Sequence, residues 1–143
     1  MEQVQCNSLK YSLNSNDNTA SLIGCDESTF SRDIFIPRLI DYKSREYIII
    51  SIGQEAFYCQ NNIKSVTFQN NSEIQSIGDC AFSDSSLGRI EFPMNSKLKI
   101  INYHSFESCK IKAIHFPPSL EVIDCCAFVV CDNLKVVEFY FKF

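Results

Sequence analysis

The sequence predicts a β-rich, right-handed solenoid, in which short coils of chain stack into one continuous domain. A phenylalanine recurs at intervals of roughly 22 to 25 residues, at Phe57, Phe82, Phe106 and Phe128. An isoleucine stands five residues before each of them, at Ile52, Ile77, Ile101 and Ile123. An apolar triplet follows each of them, as Ile63/Val66/Phe68, Leu87/Ile90/Phe92, Ile111/Ile114/Phe116 and Leu134/Val137/Phe139. Self-similarity at such a period is typical of stacked repeats, and its length fits a leucine-rich repeat.

Each triplet predicts a short, half-buried strand. In Val66-Thr67-Phe68 apolar and polar residues alternate, which is the period of a strand with one buried face. Pro93 and Pro117 follow the equivalent strands, where no further N–H donor is needed. Stacking the copies would align these strands into a parallel, concave sheet with a spacing of ~4.8 Å. The phenylalanine segments would return along the opposite side as short turns or single-turn helices.

The residue after each repeated isoleucine is predicted to adopt a positive φ. Glycine, asparagine and aspartate tolerate that conformation best. These are the residues found there, at Gly53, Gly78, Asn102 and Asp124.

The chain divides into an atypical start and a repeat region. Residues 47–143 are predicted to hold about four repeats, and residues 1–46 to form an N-terminal β cap. A stack of repeats needs its first apolar layer shielded from water, and an atypical terminal segment usually provides this cover.

Within the cap, two short strands are expected to form a hairpin around a polar turn cluster. These strands are residues 11–13 and 20–24. Residues 34–37, Ile-Phe-Ile-Pro, resemble the triplet strands and are interpreted as a degenerate repeat. The charged segment 38–46 is predicted to be a loop, and residues 1–33 outside the two short strands to be irregular.

Composition narrows the function classes. The chain has 143 residues, 45% of them hydrophobic, which is enough for a packed core. Its formal net charge of -4 gives no reason to expect nucleic acid as a partner, because phosphate binding needs positive charge. The first residues lack the basic segment followed by an apolar segment that marks a secretory signal peptide. No run of apolar residues is long enough for a membrane-spanning helix. A soluble chain with no membrane insertion is therefore predicted.

Eight cysteines allow three interpretations. Cys109 and Cys131 follow the repeated phenylalanine by three residues, and Cys80 and Cys126 precede the Ala-Phe pair. Recurrence at fixed positions favours small core residues that pack against their counterparts. Structural disulfides and a metal site are the alternatives, although paired C-x2-C spacings are lacking. No metal and no cofactor are predicted.

The motif Ile-Gly-x-x-Ala-Phe, followed by a cysteine and then Leu-x-x-Ile-x-Phe-Pro, resembles the BspA-type leucine-rich repeat. The likeness covers about residues 47–139. Residues 11–37 further resemble the N-terminus of surface-antigen members from parasitic protists. The resemblance implies a cell-surface or adhesion protein that binds host or microbial proteins, and it brings no catalytic residues.

Two other function classes remain open. An intracellular interaction scaffold is the alternative, because no signal or anchor is visible and free cysteines suit a reducing compartment. A thiol enzyme would need Cys126 or Cys131 beside His104 or His115 as a base. The interpretation that the cysteines lie in the core and the histidines at the surface is favoured over a thiol enzyme.

The candidate protein-binding site is the outward side of the triplet strands. Its predicted residues are Ser65, Thr67, Arg89, Glu91, Ala113, His115, Val136 and Glu138. An ordinary solvated sheet face is the alternative for each. Four such strands give on the order of 250 Å² of face, whereas a specific interface needs roughly 800 Å² per partner. A partner must also use the rims, or the chain must act within a longer array.

The last strand predicts self-association. Residues 134–143 are apolar and rich in aromatic side chains, and they would form an unpaired sheet edge. Such edges pair readily with another chain, so dimerisation or aggregation through residues 134–143 is expected.

Overall fold

The computed structural model describes residues 1–29 and 31–141, and all regular secondary structure in this part of the chain is β-strand. No helix occurs there, so none could cross a membrane. The strands are Glu2–Cys6 (β1), Leu9–Asn14 (β2), Thr19–Cys25 (β3), Asp33–Ile36 (β4), Leu39–Tyr42 (β5), Arg45–Ile52 (β6), Ser65–Phe68 (β7), Ser76–Ile77 (β8), Arg89–Glu91 (β9), Ile100–Ile101 (β10), Ala113–Phe116 (β11), Val122–Ile123 (β12) and Val136–Phe139 (β13).

The repeats stack in parallel, as predicted, but each coil contributes strands to two stacks. The triplet strands pair in parallel as β4-β7-β9 and as β11-β13. The repeated isoleucines form a second parallel ladder, β6-β8-β10-β12, which belongs to an eight-stranded sheet. The second ladder was not predicted from the sequence, because two-residue strands such as β8 are too short to show the alternation of apolar and polar residues that marks a strand. The core lies between the two stacks.

The four repeated phenylalanines form one interior column. Their rings stack nearly parallel, with centroids 5.1 Å apart for Phe57 and Phe82, 5.4 Å for Phe82 and Phe106, and 5.0 Å for Phe106 and Phe128. The segments that carry them are turns joined coil to coil by main-chain hydrogen bonds. The N–H of Phe82 donates to the carbonyl of Ser105 at 2.8 Å. The predicted leucine-rich-repeat solenoid is confirmed.

The N-terminal region contains more sheet than predicted. The hairpin of β2 and β3 is confirmed, and β3 continues into the second stack by pairing in parallel with β6. The first ten residues are not irregular, because β1 pairs with β2. Residues 38–46 are not a loop, because β5 pairs with the start of β6.

Two tight turns explain why strands β1 and β5 were not predicted. Asn7 and Ser8 join β1 to β2, and Lys43 and Ser44 join β5 to β6, with φ between 48° and 68° at all four residues. Two-residue hairpins need positive φ at both central residues, and Asn-Gly or Asp-Gly is their usual signal. Neither turn carries glycine, so the sequence did not reveal them.

The prediction of a positive φ after each repeated isoleucine is wrong. Among the described residues, the positive φ lies two positions later, at Glu55, Cys80, His104 and Cys126. Glycine at 78 serves close packing instead. A Cβ atom there would lie 2.6 Å from the backbone nitrogen of Gln54, far inside normal contact. Asn102, the next counterpart, donates its Nδ2 to the carbonyl of Ile77 at 2.8 Å.

A second column of positive φ predicts a stabilising substitution. Cys59, Asp84, Ser108 and Val130 share this position, with φ of 56° to 58°. A β-branched residue is strained there, at a cost of roughly 1–2 kcal/mol, and Val130 is exposed, so little packing would be lost. Val130→Asn is expected to raise the free energy of unfolding by about 1 kcal/mol in urea denaturation. Ser108→Asn, its control, should change stability little, and equal values for the two variants would contradict the strain argument.

Candidate functional site

The triplet face, defined as the outward side chains of β4, β7, β9, β11 and β13, brings the predicted binding residues together. Burial alternates along β4, β7, β9 and β11: in β7, Val66 is buried, whereas Ser65 and Thr67 are part-exposed. All four residues of β13 are exposed, and their faces follow from their register with β11. Register then aligns equivalent residues, for example Ser65 with Arg89 and Thr67 with Glu91. The eight predicted residues on this face are Ser65, Thr67, Arg89, Glu91, Ala113, His115, Val136 and Glu138.

The degenerate repeat extends the triplet face by a fifth strand. In β4, Asp33 aligns with Ser65 and Phe35 with Thr67. The hydroxyl of Ser65 donates to Asp33 Oδ1 at 2.6 Å. Phe35 is exposed although its neighbours Ile34 and Ile36 are buried. This strand was predicted to be a degenerate repeat, but Asp33 and Phe35 were not predicted to belong to the candidate site.

Two ion pairs cross the triplet face. Arg89 bonds Glu91 along one strand, with its Nε 3.0 Å from Glu91 Oε1. His115 Nδ1 lies 2.8 Å from Glu138 Oε2, between neighbouring strands. Both pairs are exposed, so each is worth little stability. They instead place charge of both signs on the face.

A groove of about 330 Å³ opens at the C-terminal ends of these strands. Inward residues such as Phe68 and Phe92 form part of its lining, and Met94 lies at its rim. Tyr140 closes one side by stacking on His115, with ring centroids 5.8 Å apart and an interplanar angle of 20°. The lining of the groove therefore mixes apolar side chains with polar and charged ones, Glu91 and His115 among them.

Met94 and Tyr140 line the groove but were not among the predicted site residues. One signal could have identified Tyr140. The residue directly after the triplet strand is Pro93 in one coil and Pro117 in the next, so an aromatic side chain at 140 departs from the repeat. Nothing in the sequence indicated that it would stack on a histidine one coil away.

Two cysteines serve the core as expected. The Cys109 thiol donates to the carbonyl of Phe82 at 3.1 Å, and that of Cys131 to the carbonyl of Phe106 at 2.9 Å. Burial raises the pKa of Cys109 to about 12 and also raises the pKa of Cys131. Both thiols are therefore held as neutral hydrogen-bond donors between coils, which disfavours a nucleophilic role for Cys131.

Other cysteines differ from the expectation of burial. Cys59, Cys125 and Cys126 are exposed, and all eight cysteines are free. Cys59 and Cys126 occupy positive-φ turn positions, whose side chains project from the stack. A cysteine that recurs at the same position of the repeat is therefore not necessarily buried in the core.

The histidines do not form a ligand set with the cysteines. His104 Nδ1 bonds Glu107 Oε2 within the turn that carries Phe106, whereas His115 lies on the triplet face. Over residues 1–29 and 31–141, no cluster of three or more His, Cys, Asp or Glu side chains is arranged to hold a metal ion.

Known structures share this architecture. A leucine-rich repeat protein from Bacteroides capillosus is 30% identical, with 96% of this chain and 98% of that chain covered and a TM-score of 0.84. One from Bacteroides ovatus is 24% identical, with 94% and 40% covered and a TM-score of 0.67. Pneumococcal vaccine antigen PcpA is 21% identical, with 97% and 38% covered and a TM-score of 0.79. The likeness to the Bacteroides ovatus protein and to PcpA shows the fold alone.

No curated protein matches the chain in sequence. The model of the BspA type leucine rich repeat region matches residues 50–143, in six copies. That match spans more than half of the chain, and it covers the phenylalanine column, the isoleucine ladder and most of the triplet face. The chain therefore belongs to the BspA-type leucine-rich repeat family.

Proposed function

We propose that this chain is a non-enzymatic protein-binding module of the cell-surface, adhesion type. It binds host or microbial proteins through the triplet face and the rims beside it. The observation that carries this proposal is the pair of in-register arrays of outward side chains, one on β4-β7-β9 and one on β11-β13, bordered by the groove beneath Tyr140. A surface location is supported by the family, which includes bacterial surface proteins.

The composition of the surface supports protein binding. Arg89, Phe35, Tyr140 and Met94 are exposed there, and aromatic residues, methionine and arginine are enriched at protein interfaces. The groove can receive a partner side chain with both apolar and polar parts, because apolar and polar groups contribute about equally to its lining. Buried anchors of this kind carry most of the binding energy in protein complexes.

The area of contact requires both the strands and the rims. Five strands at a spacing of ~4.8 Å give on the order of 300 Å² of outward face. A specific complex buries roughly 800 Å² per partner. The groove and its rim residue Met94 enlarge the surface on one side, and Phe35 adds an apolar contact at the first strand.

We also propose that residues 1–46 cap the repeats of residues 47–143. Leu13 and Leu22 are fully buried in the same core as the repeat residues. Because β3 pairs with β6, this segment covers the side of the isoleucine ladder opposite to β8. The pairing supports one continuous domain rather than two independent ones.

Exchanging a charge pair tests the binding surface. The double variant Arg89→Glu, Glu91→Arg keeps the net charge and reverses the pair on β9. Capture of surface-biotinylated host-cell proteins on the immobilised chain is expected to lose the specific partners, with at least tenfold weaker binding of each, about 1.4 kcal/mol.

The matched control is the exposed pair of Lys43 and Glu2, 2.9 Å apart on the N-terminal hairpins. The variant Lys43→Glu, Glu2→Lys makes the same exchange away from the triplet face and should retain every partner. Recovery of the same partners by both variants would refute the binding role of the face.

An intracellular scaffold is the second candidate, and it is favoured by the eight free cysteines. Staining a tagged chain in intact and permeabilised cells separates the candidates. Signal in intact cells supports the surface module, and signal only after permeabilisation supports the scaffold.

A further inference from the structure

Positive charge collects at the amino ends of the triplet strands. The residue directly before these strands is basic in four of the five coils and glycine in the other. With one further lysine in the fourth of these coils, these residues form the basic column: Arg32, Lys64, Lys110, Lys112 and Lys135. All five residues are exposed. The formal net charge of -4 therefore conceals a local concentration of positive charge.

Main-chain hydrogen bonds place successive members of the basic column one coil apart. The N–H of Lys64 donates to the carbonyl of Arg32 at 2.8 Å, and the N–H of Lys135 donates to the carbonyl of Lys112 at 2.9 Å. Gly88 occupies the middle of the column, because its N–H donates to the carbonyl of Lys64 at 2.9 Å. With coils spaced by ~4.8 Å, the column is about 19 Å long over its four steps.

The charges of the basic column are not neutralised by ion pairs. No member takes part in one among the described residues, which exclude the last two residues of the predicted self-association segment, 134–143. Asp33 follows Arg32 directly, but its Oδ1 already accepts the hydroxyl of Ser65 at 2.6 Å. Like charges opposite one another on neighbouring strands destabilise a sheet. The column therefore costs stability in the free chain, and a bound anion would offset that cost.

Negative charge lies along one flank of the basic column. The turns that carry the repeated phenylalanines lead into the triplet strands, and they contain no lysine or arginine over residues 53–59, 78–84, 102–108 and 124–130. Their carboxylates belong to Glu55, Asp79, Asp84, Glu107 and Asp124. A polyanion is repelled by these turns, so it is confined to the line of the column.

The side chains beside the basic column match a carbohydrate. Asn62, Ser86 and Asn133 each stand three residues before a triplet strand. Amides and hydroxyls both donate and accept hydrogen bonds, as the hydroxyls of a sugar do. Single-stranded nucleic acid would instead need aromatic platforms for its bases, and none of these three residues or of the basic column is aromatic. An added peptide strand would need free main-chain groups, which the column uses between its own coils.

We propose that the basic column binds an anionic polysaccharide along the axis of the solenoid. Carboxylate or sulfate groups of the polysaccharide pair with the lysine and arginine side chains, and its hydroxyls bond the flanking amides and hydroxyls. The groove beneath Tyr140 lies at the carboxyl ends of the same strands, so a protein partner and the polysaccharide occupy different surfaces. The polysaccharide site does not depend on the triplet face binding a protein.

A double substitution tests the basic column. Lys64→Gln, Lys112→Gln removes two cations from exposed positions, so the fold should persist, as circular dichroism can verify. Binding of a fluorescent heparin octasaccharide at about 0.1 M salt should weaken at least about tenfold, because each lost ion pair forgoes the release of a counterion. The matched control is Lys97→Gln, Lys99→Gln, which removes two exposed cations from the loop between β9 and β10. Its affinity should stay within about twofold of wild type.

Filling the gap at Gly88 tests the line of the column. The nearest contact of a Cβ atom there would be 3.7 Å, and the φ of Gly88 is not positive, so a side chain is tolerated. Gly88→Lys should tighten octasaccharide binding roughly three- to fivefold, since one more counterion is released. Gly88→Ala should leave it unchanged. Equal affinity of the two variants would show that the ligand does not run along the column.

Other polyanions identify the class of ligand. A polygalacturonate octasaccharide carries carboxylates alone, so its affinity relative to heparin shows whether carboxylate or sulfate is preferred. Oligo-dT and polyglutamate of matched charge should bind at least about tenfold more weakly, because they lack the sugar hydroxyls. Equally tight binding of either would overturn the assignment to a polysaccharide. The basic column itself would be overturned if neither octasaccharide bound, or if the column variant and its control lost equal affinity.

Discussion

Replacing Phe82 with alanine is expected to lower the free energy of unfolding by about 3–5 kcal/mol, a large part of the roughly 5–15 kcal/mol that stabilises a domain. Phe82 is fully buried, and its ring stacks on Phe57 on one side and on Phe106 on the other. The coils cannot collapse into the space left behind, because main-chain hydrogen bonds on both sides fix their spacing. The substitution therefore loses both apolar burial and two ring contacts.

Urea unfolding followed by circular dichroism measures this loss. Phe35→Ala is the matched control, because that ring is exposed on the triplet face and its removal should change stability by no more than about 0.5 kcal/mol. Phe128→Ala should fall between the two, since Phe128 ends the column and is only partly buried. Similar losses at positions 82 and 35 would show that the column is not the core.

The repeat made the interior of the fold predictable. A position that recurs four times with the same residue, as at Phe57 or Ile77, predicts an equivalent place in each coil, and stacked coils provide such places. The N-terminal strands β1 and β5 could not be found in this way. They occur once, β1 is largely polar, and the turns that follow them use Asn7-Ser8 and Lys43-Ser44 rather than glycine.

The outward residues of the candidate site were predictable for a similar reason. Alternation along Ser65–Phe68 assigns side chains to one face or the other, and stacking aligns that assignment between coils. The groove was not predictable, because it depends on the approach of Tyr140 to His115 between neighbouring coils. Sequence periodicity assigns a side chain to a face of the sheet. It does not give the position of the far end of that side chain, on which a groove depends.

Gly78→Ala is expected to destabilise the chain by about 2–3 kcal/mol, as overpacking against a fixed backbone does. The added Cβ would lie 2.6 Å from the backbone nitrogen of Gln54 and 2.7 Å from the carbonyl carbon of Gly53. No side-chain rotation relieves these contacts, because both atoms belong to the main chain of the preceding coil. The two coils would have to move apart and weaken the ladder that joins β6 to β8.

Gly88→Ala is the matched control, and stability is expected to change in the opposite direction. A Cβ atom at Gly88 would lie 3.7 Å from the carbonyl oxygen of Lys64, which is ordinary contact, and the φ of Gly88 is not positive. The substitution should therefore stabilise by about 0.4–1 kcal/mol through reduced freedom of the unfolded chain. Thermal unfolding of the two variants should bracket the wild type, with Gly78→Ala melting lower and Gly88→Ala higher. If both variants melted higher, glycine at 78 would not be required by coil packing, and the close approach of successive coils would have to be wrong.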